Sequence, residues 1–388
     1  MQEIQTNGRI IAALISGVLI YGLAMGTTYP LLGVLLSADV PAVWNGINAA
    51  ATGLGLLSGV VVVPILGRQF GAGFTALSGV ILMAGSLVIL AIVRDFWALF
   101  AARFLLGCGA NMLFVVAETA LNVFAEPARR GRIMGVYSAA VAFGFVIGPA
   151  VVAVTPDTPL LLLLICAFAT LCAILPLGFV RTAVDCAIRP TSVTRILPAV
   201  IAFPFAFGFL FVASAIDAVV ISLLPVIALD QSYPIETGVM FVTIFHIGLL
   251  VGQPAVGIAL DHFGRRQTVL GCCLVSLGST ALLFFGNRFG FWPTALLMFF
   301  WGGANFGLYT GGLALIGDRF SGAALTAATA AFAAVYAVAS IISPVLAGQT
   351  IDSVGAEGFY MIIAVIYLAA LLCGAAFFRP LEPIHHRA

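Results

Sequence analysis

The 388-residue sequence predicts an all-α integral membrane protein, with twelve transmembrane helices arranged as two pseudo-symmetric six-helix halves. Composition is the first reason: 62% of residues are apolar, 8% are charged and the mean hydropathy is +1.19, where a soluble chain is about half apolar and a quarter charged. Second, the apolar residues come in long runs rather than in dyad alternation. That selects helices over a closed barrel as the form that satisfies its own backbone groups in lipid. Third, local patterns recur about half the chain apart, the sign of an internal duplication.

The spans follow in order from clusters of charge, Pro, Asn and Gly. A short polar lead, Met1 to Arg9, precedes span 1 at 10–36. That apolar stretch is too long for a signal peptide, so it is expected to be retained. Spans 2 to 6 fall at 43–66, 73–93, 97–124, 132–153 and 158–180. Residues 181–197, which hold Arg, Asp, Pro, Ser and Thr, are expected as a cytoplasmic linker between an N-terminal bundle (1–180) and a C-terminal one (198–388). Spans 7 to 12 fall at 198–226, 236–260, 268–286, 290–316, 323–348 and 356–378. Each approaches or exceeds the roughly 20 residues that cross a bilayer about 30 Å thick, with span 9 near the lower limit.

Arginine sets the orientation. Thirteen arginines fall in segments on the side of the termini, only Arg94 and Arg288 fall in the opposite loops, and Arg103 falls within a span. By the positive-inside rule both termini are expected in the cytoplasm.

Other classes are excluded by what the chain lacks. All 16 cations are Arg, so a P-loop, a lysine Schiff base and a lysine-rich nucleic-acid surface are ruled out, and a net charge of +1 offers no basic footprint. Six of the seven cysteines lie in apolar runs and Cys186 lies in the linker, where they read as small apolar residues rather than a disulfide framework. Cys272 and Cys273 have no second pair to complete a metal site. A catalytic site would need a nucleophile beside His246, and no motif supplies one. The expectation is therefore no enzyme, no metal and no cofactor, with membrane lipids as a partner.

The repeats are specific. Pro30 answers Pro225, Phe70-Gly71 answers Phe263-Gly264, Gly109-Ala110-Asn111 answers Gly303-Ala304-Asn305, and Gly148-Pro149 answers Ser343-Pro344. The stretch Gly257-Ile258-Ala259-Leu260-Asp261-His262-Phe263-Gly264-Arg265-Arg266 resembles motif A of the major facilitator superfamily. In physical terms Gly257 lets a helix approach, Gly264 permits a tight turn and Asp261 suits a positive helix N-terminus. The first-half counterpart, Pro64 to Gly71, has Arg68 where the motif wants Asp. Span 4 carries Arg103-Phe104-Leu105-Leu106-Gly107, which resembles motif B. Gly135, Gly144 and Gly148-Pro149 in span 5 are spaced like motif C of proton-coupled exporters, without its closing glycine pair. Together with Ala117 to Asn122, Arg130 to Tyr137 and Leu308 to Phe320, these features are similar to the YcaD-like branch of that superfamily.

The resemblance implies the major facilitator fold and secondary active transport of a small organic solute across the bacterial inner membrane by alternating access, with that solute and protons as partners of a monomer. Proton coupling and export are favoured, against uptake by symport or a non-transporting sensor or scaffold on the same fold. It also implies a cytoplasmic gate of Gly257, Asp261, Gly264, Arg265 and Asp318, with Asp261 set against span 11 near Gly322, and a cavity lined by spans 1, 4, 7 and 10. The residues themselves supply candidates. Four ionisable groups lie within spans, Arg103, Glu118, Asp217 and His246, and such groups in lipid are expected to be functional. They are the candidates for proton coupling, with Arg103 able to hold Asp217 charged in one state. The alternatives are an Arg103 that snorkels to the headgroups and a His246 that bonds a neighbouring helix. Tyr21, Met25, Asn111, Trp301, Asn305 and Tyr309 are expected as the substrate wall, because they recur at helical spacing near mid-span.

Overall fold

The computed structural model describes residues 2–126, 129–187, 196–231, 233–285, 290–320 and 322–377, all in helices or short connections and with no strand among them. The first half comprises α1 (Gln2–Ser37), α2 (Ala42–Phe70), α3 (Ala72–Ile92), α4 (Phe96–Phe124), α5 (Arg130–Val154), α6 (Pro159–Cys172) and α7 (Ile174–Ala187). The second comprises α8 (Ile196–Ala202), α9 (Pro204–Asp230), α10 (Ile235–His262), α11 (Arg265–Leu283), α12 (Phe291–Arg319), α13 (Gly322–Val354) and α14 (Ala356–Phe377).

Prolines explain two departures from uninterrupted spans. The sixth span breaks at Ala173, because Pro176 has no N–H to give the Cys172 carbonyl, and the Ala173 N–H turns back to Thr170 O at 3.1 Å. α7 then runs on through Ala187, so residues 181–187 of the expected linker are helical, while 188–195 lie outside the described residues. Pro204 likewise separates the short α8 from α9.

Packing repeats across the halves. α1 lies on α5, α2 on α4, and α3 on α4 and α6; correspondingly α9 lies on α13, α10 on α12, and α11 on α12 and α14. The repeated Phe-Gly turns share one conformation: Gly71 has φ +93° and Gly264 has φ +83°, values that side chains rarely tolerate. Eleven stretches of the described residues are long and apolar enough to cross a membrane. α12 is not among them despite its 29 residues, since Trp301, Asn305, Tyr309 and several glycines dilute its hydropathy. Its neighbours α9, α10 and α11 shelter those groups instead of lipid.

The halves meet through α2 on α13, α5 on α10 and α1 on α9. Their close approaches fall toward the face opposite the termini, here called the far face. There the Asp352 carboxylate of α13 accepts from the backbone N–H groups of Ala42 (2.9 Å) and Val43 (3.0 Å), capping α2 across the seam. A Cβ added to Gly46 would stand 2.1 Å from the Pro344 carbonyl oxygen, so this crossing requires glycine. Trp44, Trp97 and Trp292, at the far-face ends of α2, α4 and α12, are 41%, 61% and 79% exposed, as a belt at headgroup level requires. Trp301, by contrast, is wholly buried.

Candidate functional site at the seam between the halves

Burial along α4 falls in one direction. Arg103 and Asn111 are buried, Glu118 is half-buried and Asn122 is exposed. α12 shows the same gradient through Trp301, Asn305, Tyr309 and Leu313. The seam is thus sealed at the far face and opens toward the face of the termini.

At its centre lies a titratable pair. His246 Nε2 of α10 is 3.2 Å from Asp217 Oδ1 of α9, and both side chains are almost fully buried. The distance is that of an ion pair, but the ring N–H direction falls outside hydrogen-bond geometry, so neither atom has a hydrogen-bond partner. His246 Nδ1 lies 2.9 Å from Val242 O, and a carbonyl only accepts, so Nδ1 carries a hydrogen. An unprotonated Nε2 would then set its lone pair against a carboxylate. A proton shared by the pair would relieve that opposition. Tyr336 of α13 donates to Asp217 Oδ2 at 3.1 Å, which fixes the carboxylate from its other side.

Rings connect this pair to both halves. Phe145 of α5 stacks on His246 with centroids 5.7 Å apart and planes 9° from parallel. On one side Phe145 continues to Tyr21, Phe114 and Tyr137. On the other, His246 continues to Phe306, Tyr309 and Phe332. The result is a run of rings from one half to the other, crossing the seam at Phe145 and His246. Phe114, Phe145, Phe306 and Tyr336 were not among the expected wall residues; Phe114 and Phe306 sit within one helical turn of Asn111 and Asn305, but phenylalanine in an apolar run carries no signal of its own.

Arg103 neither snorkels nor meets Asp217. It is wholly buried, its Nη1 donates to Asn48 Oδ1 at 3.0 Å, and its guanidinium carbon stands 5.1 Å from the centre of the Tyr29 ring. Asp217 is instead engaged by His246 and Tyr336, so the expected Arg103 contact is not made in this conformation. Glu118 lies within electrostatic reach of Tyr137 and Tyr309, one from each half.

The six wall candidates separate. Tyr21 and Tyr309 belong to the run of rings, and Met25 is buried in α1. Asn111 packs against Gly59 of α2 and leaves its Oδ1 without a partner. Trp301 and Asn305 are drawn away by α14: Trp301 Nε1 donates to Tyr367 Oη at 2.9 Å, Tyr367 Oη donates to Asn305 Oδ1 at 2.7 Å, and Asn305 Nδ2 donates to Ala213 O at 3.1 Å. Every one of those polar groups has a protein partner. Tyr367→Phe is therefore expected to cost about 1 to 3 kcal/mol, by leaving Trp301 and Asn305 unpaired in the core. Thermal unfolding in detergent measures this; a change in solute affinity at unaltered stability would instead return these residues to the wall.

On the face of the termini, Arg265 Nη1 donates to Asp261 Oδ1 at 2.8 Å and Nε donates to Asp318 Oδ2 at 3.2 Å. Gly264 makes the turn that allows it. Gly257 departs from expectation, since a Cβ there would meet nothing within 4 Å and no helix approaches it closely. The first half uses a residue that the motif comparison missed. Asp185 of α7 accepts from the Gly73 N–H at the start of α3 at 2.7 Å and pairs with Arg181 at 3.5 Å, so a carboxylate reaches the equivalent helix start from the far end of the sixth span.

Two repeated bundles of membrane-length helices packed across a seam are an architecture that membrane transporters use. The chain belongs to the Major Facilitator Superfamily, whose family model matches residues 14–241 and 205–388. It is similar to the uncharacterized MFS-type transporter YfkF of Bacillus subtilis (strain 168), at 27% identity over 94% of this chain and 95% of that protein. It is also similar to YcaD of Shigella flexneri, at 25% identity over 98% and 99% of the two chains. Among solved structures, a mutant of the nucleoside transporter NupG superposes with a TM-score of 0.80 at 13% identity, covering 95% of this chain and all of that one. That likeness is one of fold.

Proposed function

We propose that the chain is a proton-coupled secondary transporter that moves a small organic solute across the bacterial inner membrane by alternating access, with export the favoured direction. The observation that carries this reading is the buried Asp217–His246 pair, whose facing atoms stand 3.2 Å apart and which is covered by Phe145 from the opposite half. Rocking the halves apart at that stack uncovers the pair, which links proton loading to the side of access. Tyr21, Tyr309 and the intervening rings form the solute wall, with Asn111 and Glu118 as its polar members. The arginine bias supports a cytoplasmic location for the termini, and so for the open side of the seam. The spacing of Gly135, Gly144 and Gly148 supports export, and in the structure Gly144 and Gly148 pack against Gly22 and Gly26 of α1.

Reconstituted vesicles with an imposed pH gradient test the proposal. Labelled solutes, chosen by a thermal-stabilisation screen at two pH values, should accumulate against their gradient and collapse with a protonophore; flux indifferent to both would remove the coupling. The sign of accumulation in oriented vesicles decides between export and uptake.

The gate follows from the same reading. Asp261→Asn is expected to keep solute binding while slowing turnover several-fold, because it alters an equilibrium between states rather than a solute contact. Arg68→Ala, at the exposed first-half counterpart, should be mild. Binding and turnover measured on the same preparations check both.

A further inference from the structure

Arg103 is a wholly buried cation, and among the described residues none of the ion pairs includes it. Only its Nη1 is hydrogen-bonded; Nε and Nη2 have no partner. Those two donors occupy one edge of the guanidinium, spaced to receive two acceptor atoms side by side. The groups around that cation add donors rather than a counter-charge. Asn48 gives its oxygen to Arg103 and leaves Nδ2 unpartnered, and Thr52, one helical turn further along α2, leaves Oγ1 without hydrogen-bond geometry beside the Tyr29 phenol. All four residues are buried, on α1 (Tyr29), α2 (Asn48, Thr52) and α4 (Arg103). Water could meet these donors, but it would bring no charge to offset the guanidinium inside a membrane protein.

We propose that this cluster is a binding site for a small monoanion, held by the Nε and Nη2 edge of Arg103 with Asn48 Nδ2 and Thr52 Oγ1 beside it. The fork suits a carboxylate, and a halide can sit on the same edge. The site lies wholly within the first half, apart from the Asp217–His246 pair of the second. It would fill and empty when the far face opens, since Arg103 lies on the sealed side of the seam.

The test is the melting temperature of the purified full-length protein in detergent, at constant ionic strength, as a bulky buffer sulfonate is replaced by chloride, formate or acetate. A saturable rise of about 2 to 3 °C is expected at roughly tenfold excess over Kd. A response to chloride identifies a free inorganic anion, whereas a response to formate or acetate alone identifies a carboxylate such as a solute would carry. Asn48→Asp supplies an internal counter-ion 3.0 Å from Nη1. It should raise stability in the sulfonate and abolish the anion response; Arg103→Gln should abolish the response as well. If Arg103→Gln does not fold, Asn48→Asp still decides. A wild-type melting temperature indifferent to all three anions, or an anion response that persists in Asn48→Asp, would overturn the site.

Discussion

Asp217→Asn is expected to abolish solute accumulation driven by a pH gradient while leaving counterflow of labelled solute intact. The expectation rests on proton accounting at one contact. With Nδ1 committed to the Val242 carbonyl, an unprotonated His246 sets its Nε2 lone pair 3.2 Å from the Asp217 carboxylate, an opposition that a proton on the pair relieves. An amide in place of the carboxylate carries no charge to oppose that lone pair, so the contact survives without that proton. The closed state then forms but no longer binds or releases a proton as it opens. One coupled proton at a gradient of about one pH unit supports about tenfold accumulation, which should fall to unity in the variant. Counterflow needs no net proton movement and should persist. His246→Gln keeps hydrogen-bonding capacity without titration and should flatten the pH profile. If both variants accumulate solute normally, the pair is structural and Glu118 is the next group to test.

The second large effect is expected at the far face. Gly46→Val places a side chain where even a Cβ would stand 2.1 Å from the Pro344 carbonyl oxygen, and that oxygen belongs to the other half. Because the clash lies between bundles, it should disfavour the sealed state without unfolding either bundle. Overpacking of this kind costs about 1 to 3 kcal/mol, which corresponds to a shift of about 5- to 150-fold in the ratio of states. Asp352→Ala should act in the same direction but less strongly, by removing the cap from the Ala42 and Val43 N–H groups, at about 1 kcal/mol. Spin labels at positions 39 and 353, one from each half and introduced in a background without native cysteines, should move apart in both variants. Unchanged label distances in Gly46→Val would mean that α2 and α13 shift together, and that this crossing does not govern access.

Much of the fold was legible because lipid imposes one rule on every span. Apolar runs had to be helices, arginine set their expected orientation, and the duplicated turns at Gly71 and Gly264 marked equivalent points in the halves. Helix ends were harder. The break at Ala173 depends on Pro176, and a proline within a membrane run reads equally as a kink or as nothing. The candidate site was legible only where residues were chemically conspicuous. Asp217 and His246 stood out as costly in lipid, and the structure sets them against each other. Their partners did not stand out, since Phe145 and Tyr336 resemble any other core residue until the halves are brought together. Trp301 and Asn305 show the converse: mid-span polarity marked them as wall residues, yet Tyr367, sixty residues away in the chain, takes up their hydrogen bonds. Asp352 and Asp185 lie near span ends, where a carboxylate is ordinary, and only the tertiary arrangement turns them into caps.

The modest hydropathy of α12 bears on how the protein comes to be made. A segment holding Trp301, Asn305 and Tyr309 gains less from lipid than its neighbours do, so its place in the bilayer is secured by helices already there. α10 and α11 emerge before it and cover two of its sides, but the hydroxyl that satisfies Trp301 and Asn305 arrives only with α14, two helices later in the chain. Until then the second bundle holds a half-finished polar seam in its interior. The polar contacts of this bundle are therefore completed only once α14 is in place, and that later helix acts as a keystone for the less apolar α12.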